Sequence, residues 1–126
     1  MREIKFRAFG GYEDAPKKMY KVAEIDFAFE SLELEGFTAF FDLKDFKLMQ
    51  YTGLKDKNGV EIYEGDIVKF PNKALNNGVI EYFNGAFFLT KDGRDEFLLY
   101  AHKACEIIGN IYENSELLSE VSRETY

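Results

Sequence analysis

Apolar and polar residues alternate with period two along most of this chain, the pattern of strands that bury one face. Residues 3–9 put Ile4, Phe6 and Ala8 on one face and Glu3, Lys5 and Arg7 on the other, with Gly10-Gly11 as punctuation. A loop containing Pro16 follows, in which Lys17, Lys18 and Lys21 surround Met19 and Tyr20. Alternation resumes with Ala23, Ile25, Phe27 and Phe29 set against Glu24, Asp26 and Glu30, predicting a half-buried strand with an acidic outer face. Residues 31–43 are ambiguous. Phe37, Ala39, Phe41 and Leu43 fit a strand, while Phe37, Phe40 and Phe41 also share a helical face; strand is the preferred reading.

The chain is organised around Leu48 to Phe70, which reads as strand, turn, strand, corner, strand. Asn58-Gly59 is a strong hairpin signal, but a strict two-residue loop would set Asp56 across from Glu61, and like charges facing across a ladder are unfavourable. A longer loop over Asp56 to Gly59 is expected instead. Gly65 suits the third position of a type II turn, and Pro71 ends the strand begun at Asp66. After a loop over residues 72–78, Asn84-Gly85 joins Val79–Phe83 to Ala86–Thr90. That register pairs Phe83 with Ala86, Tyr82 with Phe87, Glu81 with Phe88 and Ile80 with Leu89, and predicts a buried face of Ile80, Tyr82, Phe87 and Leu89. A charged turn over Lys91 to Glu96, a short strand over Phe97 to Tyr100 and a last strand over Cys105 to Tyr112 complete the pattern. Asn114 or Ser115 can cap a short helix from Glu116 to about Ser122.

Composition supports strands: thirteen Phe and eight Tyr among 126 residues, with no Trp. Formal charge is −7, and the deficit of bases is uneven: the first 73 residues hold 12 bases and 14 acids, the remainder 4 and 9. Net acidity disfavours nucleic acid and anionic lipid as partners. Residues 22–43 hold six acids (Glu24, Asp26, Glu30, Glu33, Glu35, Asp42) and no base, either a solvated face or a patch that docks a basic partner. One cysteine, no leader pattern at the start and no apolar run near 20 residues lead us to expect a cytoplasmic protein with no membrane segment.

Catalytic and metal chemistry find little footing, and no catalytic residue, metal ligand or cofactor is expected. His102 and Cys105 would point to opposite faces of a strand start, so Cys105 is expected in the core and His102 in a loop. Asp56-Lys57-Asn58-Gly59 resembles part of a calcium loop, yet that alignment puts Leu54 and Gly65 at ligand positions. Asp92, Asp95 and Glu96 read as a solvated turn. An enzyme would need Glu61, Glu64, Asp66 and Glu81 to converge in a cleft. Nucleic-acid binding would draw on Lys17, Lys18, Lys21, Lys55, Lys57, Lys69 and Lys73, with Tyr20, Tyr51 and Tyr63 as stacking platforms; a scattered solvated surface is preferred.

Five stretches stand out together: the opening Met-Arg-Glu-Ile-Lys-Phe-Arg-Ala-Phe with the cluster Lys17 to Tyr20, Gln50-Tyr-Thr-Gly-Leu-Lys-Asp56, Ile62-Tyr-Glu-Gly-Asp-Ile-Val68, Gly78 to Tyr82, and Glu106-Ile-Ile-Gly-Asn-Ile-Tyr-Glu-Asn114. In these stretches the sequence resembles the YopX family of small phage and prophage proteins. Phe9 stands where relatives more often carry Trp, Ser115 where Pro is common, and residues 22–47 match nothing in the family. The resemblance implies a mainly β fold with an SH3-like small barrel and attaches no activity to it. The expectation is an N-terminal β region over 1–52 that does not fold alone, packed with a small barrel over 53–112, and a cap or short helix over 113–126. Function is expected to be non-catalytic protein interaction in a phage setting, with a phage or host protein as partner and self-association as a further possibility. The alternative is a nucleic-acid-binding small barrel.

Overall fold

In a computed structural model the chain is mainly β and divides into two compact units, Glu3–Gln50 and a second from Tyr51 onward. The structure describes residues 3–13, 15–70, 73–91 and 94–118. The expected strand-ending role of Pro71, the place of Asp92 and the helix beyond residue 118 lie outside them.

The first unit holds β1 (Phe6–Tyr12), β2 (Ala15–Asp26), β3 (Ser31–Leu34), β4 (Phe40–Asp42) and the first half of β5 (Phe46–Lys55). All pairings are antiparallel, in the order β4-β3-β2-β1-β5. Two expectations are corrected here. Gly10-Gly11 does not end the first strand, and Pro16 lies in a strand, not a loop. The glycines form a bulge between Gly10 and Tyr12 that lets β1 run on into a hairpin with β2. A Cβ at Gly10 would collide with the Asp45 carbonyl and lie 2.8 Å from the Phe46 ring; one at Gly11 would sit 2.6 Å from the Lys17 nitrogen. Only glycine permits that backbone approach.

The expected strand through Phe29 also stops early. The register shifts between Val22 and Glu24, and β2 ends at Asp26, whose Oδ1 accepts the Ala28 and Phe29 N–H groups at 2.9 and 3.1 Å. This side chain builds the turn, so Phe27 and Phe29 stand exposed at a hairpin tip. The unit's core is Ala8, Ala15, Tyr20, Leu32, Leu34 and Phe46, with Phe37, Phe41 and Leu48 half-buried against it. Tyr20, Phe37, Phe41 and Phe46 close a ring of edge-to-face contacts, with centroids 5.6 to 6.4 Å apart. The ambiguous stretch of 31–43 thus resolves as two short strands.

The second unit continues β5 from Tyr51 into a hairpin with β6 (Glu61–Tyr63). It adds β7 (Asp66–Phe70), β8 (Lys73–Phe83), β9 (Ala86–Lys91), β10 (Arg94–Phe97), helix α1 (Leu98–Ala101), a 3-10 turn over His102–Ala104, and β11 (Glu106–Asn110). Its antiparallel sheet has the order β10-β9-β8-β7-β11, with no ladder joining β10 to β11 among the described residues. Lys55, not Asp56, faces Glu61, so the longer loop replaces a like-charge pair with an opposite one. The register of β8 with β9 is the expected one, and Asn84 (φ 48°) and Gly85 (φ 80°) supply the two left-handed residues of its turn.

Four readings fail in this unit. Residues 73–78 belong to β8, not to a loop, and part of the supposed charged turn is β10. Leu98 to Tyr100 form the start of a helix instead of a strand, because Leu98 and Ala101, three apart, share its buried face. Tyr82 is half exposed, since the core of Ile62, Val68, Ile80, Leu89, Leu98, Ala101 and Cys105 stops short of the hairpin end. One helical turn, Glu116 to Leu118, follows Ser115, with Leu117 and Leu118 N–H groups on the Asn114 and Ser115 carbonyls at 3.0 Å.

Candidate interaction surface

Two strands of the second unit carry adjacent aromatic pairs, Tyr82-Phe83 and Phe87-Phe88. Successive side chains point to opposite faces, so each pair must send one ring inward and one outward. Phe87 packs against the core; Phe83 and Phe88 emerge on the other face. There they stack at 4.2 Å with their planes 15° apart. Phe97, opposite Phe88 on β10, extends the row at 4.8 Å, and Tyr100 of α1 meets Phe97 edge-on at 6.3 Å. Exposure rises along the row to 52% at Phe97 and 81% at Tyr100. The same face carries Glu81, which accepts from the Thr90 hydroxyl at 3.2 Å, and Asp95. Every residue of β10 is exposed, and it lies at the edge of the sheet order.

Beside the row an apolar groove of about 340 Å³ is lined by Leu54, Ala86, Phe87, Phe97, Leu98, Leu99 and Tyr100. Leu99 is 61% exposed at its rim. Contiguous exposed apolar surface of this kind marks binding sites. Part of it is legible in the adjacent aromatic pairs, because the expected register buries Tyr82 and Phe87 and so sends Phe83 and Phe88 to the other face; Phe97 to Tyr100, expected as a strand, gave no such signal.

The residues singled out for chemistry do structural work. Cys105 lies in the core, as expected, and its Sγ donates to the His102 carbonyl at 3.3 Å. Burial, reinforced by the Asp56 and Asp66 carboxylates, pushes its thiol up to about 11, so it stays protonated and unreactive at neutral pH. The His102 ring faces away from that sulfur's chemistry: its Nδ1 lies 2.7 Å from the Lys55 carbonyl, which can only accept, so Nδ1 carries the proton.

Asp56 is buried, and its carboxylate is occupied by backbone. Oδ1 accepts from Asn58 and Val60 at 2.8 and 2.9 Å, and Oδ2 from Ile107 at 3.0 Å. Burial by itself would raise this group, but the three N–H donors, with Lys57 alongside, outweigh it and hold the carboxyl below its usual value. Of the four carboxylates an active site would need, Asp66 is buried and takes the Tyr63 N–H at 2.8 Å. Glu61 sits in β6, Glu64 in the corner, and Glu81 on the outward aromatic face. Tyr20 and Tyr51, two of the expected stacking platforms, are buried, and Lys69 pairs with Glu106 at 3.6 Å.

The chain matches the model of the YopX protein family over residues 5–119. It is also similar to the protein EF1440 from Enterococcus faecalis, known from a crystal structure. Identity is 32%, the match covers 94% of this chain and 99% of that one, and the TM-score is 0.68. No curated protein matches it. With a family model spanning most of its length, this chain belongs to the YopX protein family.

Proposed function

We propose that this is a non-catalytic, phage-encoded protein that binds an extended segment of another protein on the aromatic row of β8, β9 and β10. The phage setting is what the resemblance to the family implies; the docking reading is supported by one observation, the Phe83–Phe88–Phe97 row on the sheet face away from the core, half-buried at Phe83 and Phe88 and exposed at Phe97. Large, stiff aromatic rings contribute most of the energy at protein interfaces while losing little conformational freedom. Exposed β10 offers backbone N–H and C=O groups along the sheet edge, so an incoming strand gains hydrogen bonds as well as ring contacts. Glu81 and Asp95 on that face favour a segment carrying Lys or Arg between apolar residues.

Base stacking by nucleic acid would use the same rings, but those two carboxylates repel phosphate. Affinity capture from bacterial lysates decides between them, using the wild type and a Phe88→Ser/Phe97→Ser variant as paired baits. The proposal expects a protein held by the wild type and lost with the variant. A captured protein retained equally by both baits would refute it, as would salt-sensitive binding of single-stranded DNA in place of any protein.

A further inference from the structure

The face of the first unit's sheet turned from its core is covered at Met49, which pairs with Arg7, and open over β2 to β4, where it is divided by charge. Strand pairing places Lys21 beside Arg7, and Met19 beside Phe9 and then Lys47, with Lys17 on the same side of β2. Lys17, Lys21 and Lys47 are exposed, and Lys17 lies over the Phe9 ring at 5.8 Å. Beyond the irregularity at Val22 to Glu24, the same face turns acidic. Glu24 pairs directly with Glu33, and Glu33 with Phe40, which is 61% exposed. Twelve-residue β2 runs from the basic half into the acidic one.

Carboxylates facing each other across a ladder repel, and residues 22–43 contain no base to separate them. Lys44 offsets Asp42 at 3.5 Å, and a base brought by a partner would relieve Glu24 and Glu33 in the same way. The face as a whole is close to neutral, so neither a uniformly basic nor a uniformly acidic partner fits it. What fits is its own copy. A two-fold axis lying in the interface, at right angles to the line joining the two halves, sets Glu24 and Glu33 of one chain against the lysines of the other, twice over. Sheets stacked face to face lie about 10 Å apart, a gap that Lys and Glu side chains bridge.

We infer that this chain forms a two-fold dimer through the outer face of β2, β3 and β4, acidic half against basic half. Light scattering and analytical ultracentrifugation of the full chain test it. The wild type is expected to be dimeric at low salt, with its dissociation constant rising about tenfold or more between roughly 50 and 500 mM salt. Lys17→Glu/Lys21→Glu and Glu24→Lys/Glu33→Lys each set like charges against one another and are expected to be monomers. Mixed in equal amounts, the two regain complementarity at both contacts and form a one-to-one heterodimer. Circular dichroism and a cooperative melt establish that each is folded. Should a reversal variant fail to fold, Lys17→Gln/Lys21→Gln removes charge without adding repulsion and is expected to weaken the dimer about tenfold. A wild type monomeric at low salt, a dimer indifferent to salt or to these substitutions, or a mixture of folded variants that stays monomeric would overturn the inference.

Discussion

Two sets of aromatic side chains in this chain obey opposite rules. In the first unit Tyr20, Phe37, Phe41 and Phe46 meet edge to face, at interplanar angles of 66° to 84°, and close a ring about the core. In the second, Phe83 and Phe88 lie nearly parallel and Phe97 tilts by 33°, on the face turned from the core. Edge-to-face contact lets rings fill a volume from several directions; a stack forms a flat strip with one side uncovered. The first set is therefore read as folding energy and the second as surface held ready. Phe40-Phe41 shows both fates in one dipeptide: Phe41 joins the ring, and Phe40 is exposed on the outer face.

The comparison breaks most severely if the backbone beneath the first ring is disturbed. Gly10→Val should cost about 3 kcal/mol or more by denaturant unfolding, because the added branch meets the Asp45 carbonyl and the Phe46 ring. In the second unit the corresponding support is polar. Asp56→Ala leaves three N–H groups without their acceptor and should cost about 3 kcal/mol. Because the Asp56 carboxyl is held below its ordinary value, its stabilisation is complete above the unfolded-state value near ~4 and is lost as pH falls through the lower folded value. Acid titration of unfolding free energy should therefore show a shallower acid limb for Asp56→Asn than for the wild type. Smaller still is Asn84→Ala, about 1 kcal/mol, because alanine lacks the short polar side chain that lets asparagine tolerate the left-handed φ of 48°. Equal stability of the alanine variant would mean that the turn relaxes without cost.

Much of the second unit was legible because its turns are chemically explicit. Asn84-Gly85 set a register that holds residue by residue, and the Asp56–Glu61 conflict correctly lengthened the neighbouring loop. The segments that carry the family resemblance are explained by backbone duties. Thr52 Oγ1 bonds the Ile62 carbonyl and the Leu54 N–H, Asp66 takes Tyr63, and Asn110 Oδ1 accepts from Tyr112 and Glu113. Elsewhere local pattern misled. Gly10-Gly11 reads as a break in sequence, but its reason is a long-range approach of Asp45 and Lys17 that no local window contains. Phe97 to Tyr100, four apolar residues in a row, has no period at all and fits strand or helix equally. The β8–β9 register already set Phe83 and Phe88 on the face opposite the expected buried one, since adjacent residues of a strand alternate; the continuation of the row through Phe97 and Tyr100 was hidden by the misread strand there.

The most direct test compares one ring from each set by denaturant unfolding of Phe46→Ala and Phe97→Ala. Truncating buried Phe46 should cost about 3 to 4 kcal/mol, and truncating half-exposed Phe97 less than about 1 kcal/mol. If Phe97→Ala proved as destabilising as Phe46→Ala, the outward row would be part of the folding core, and the docking surface would have no basis.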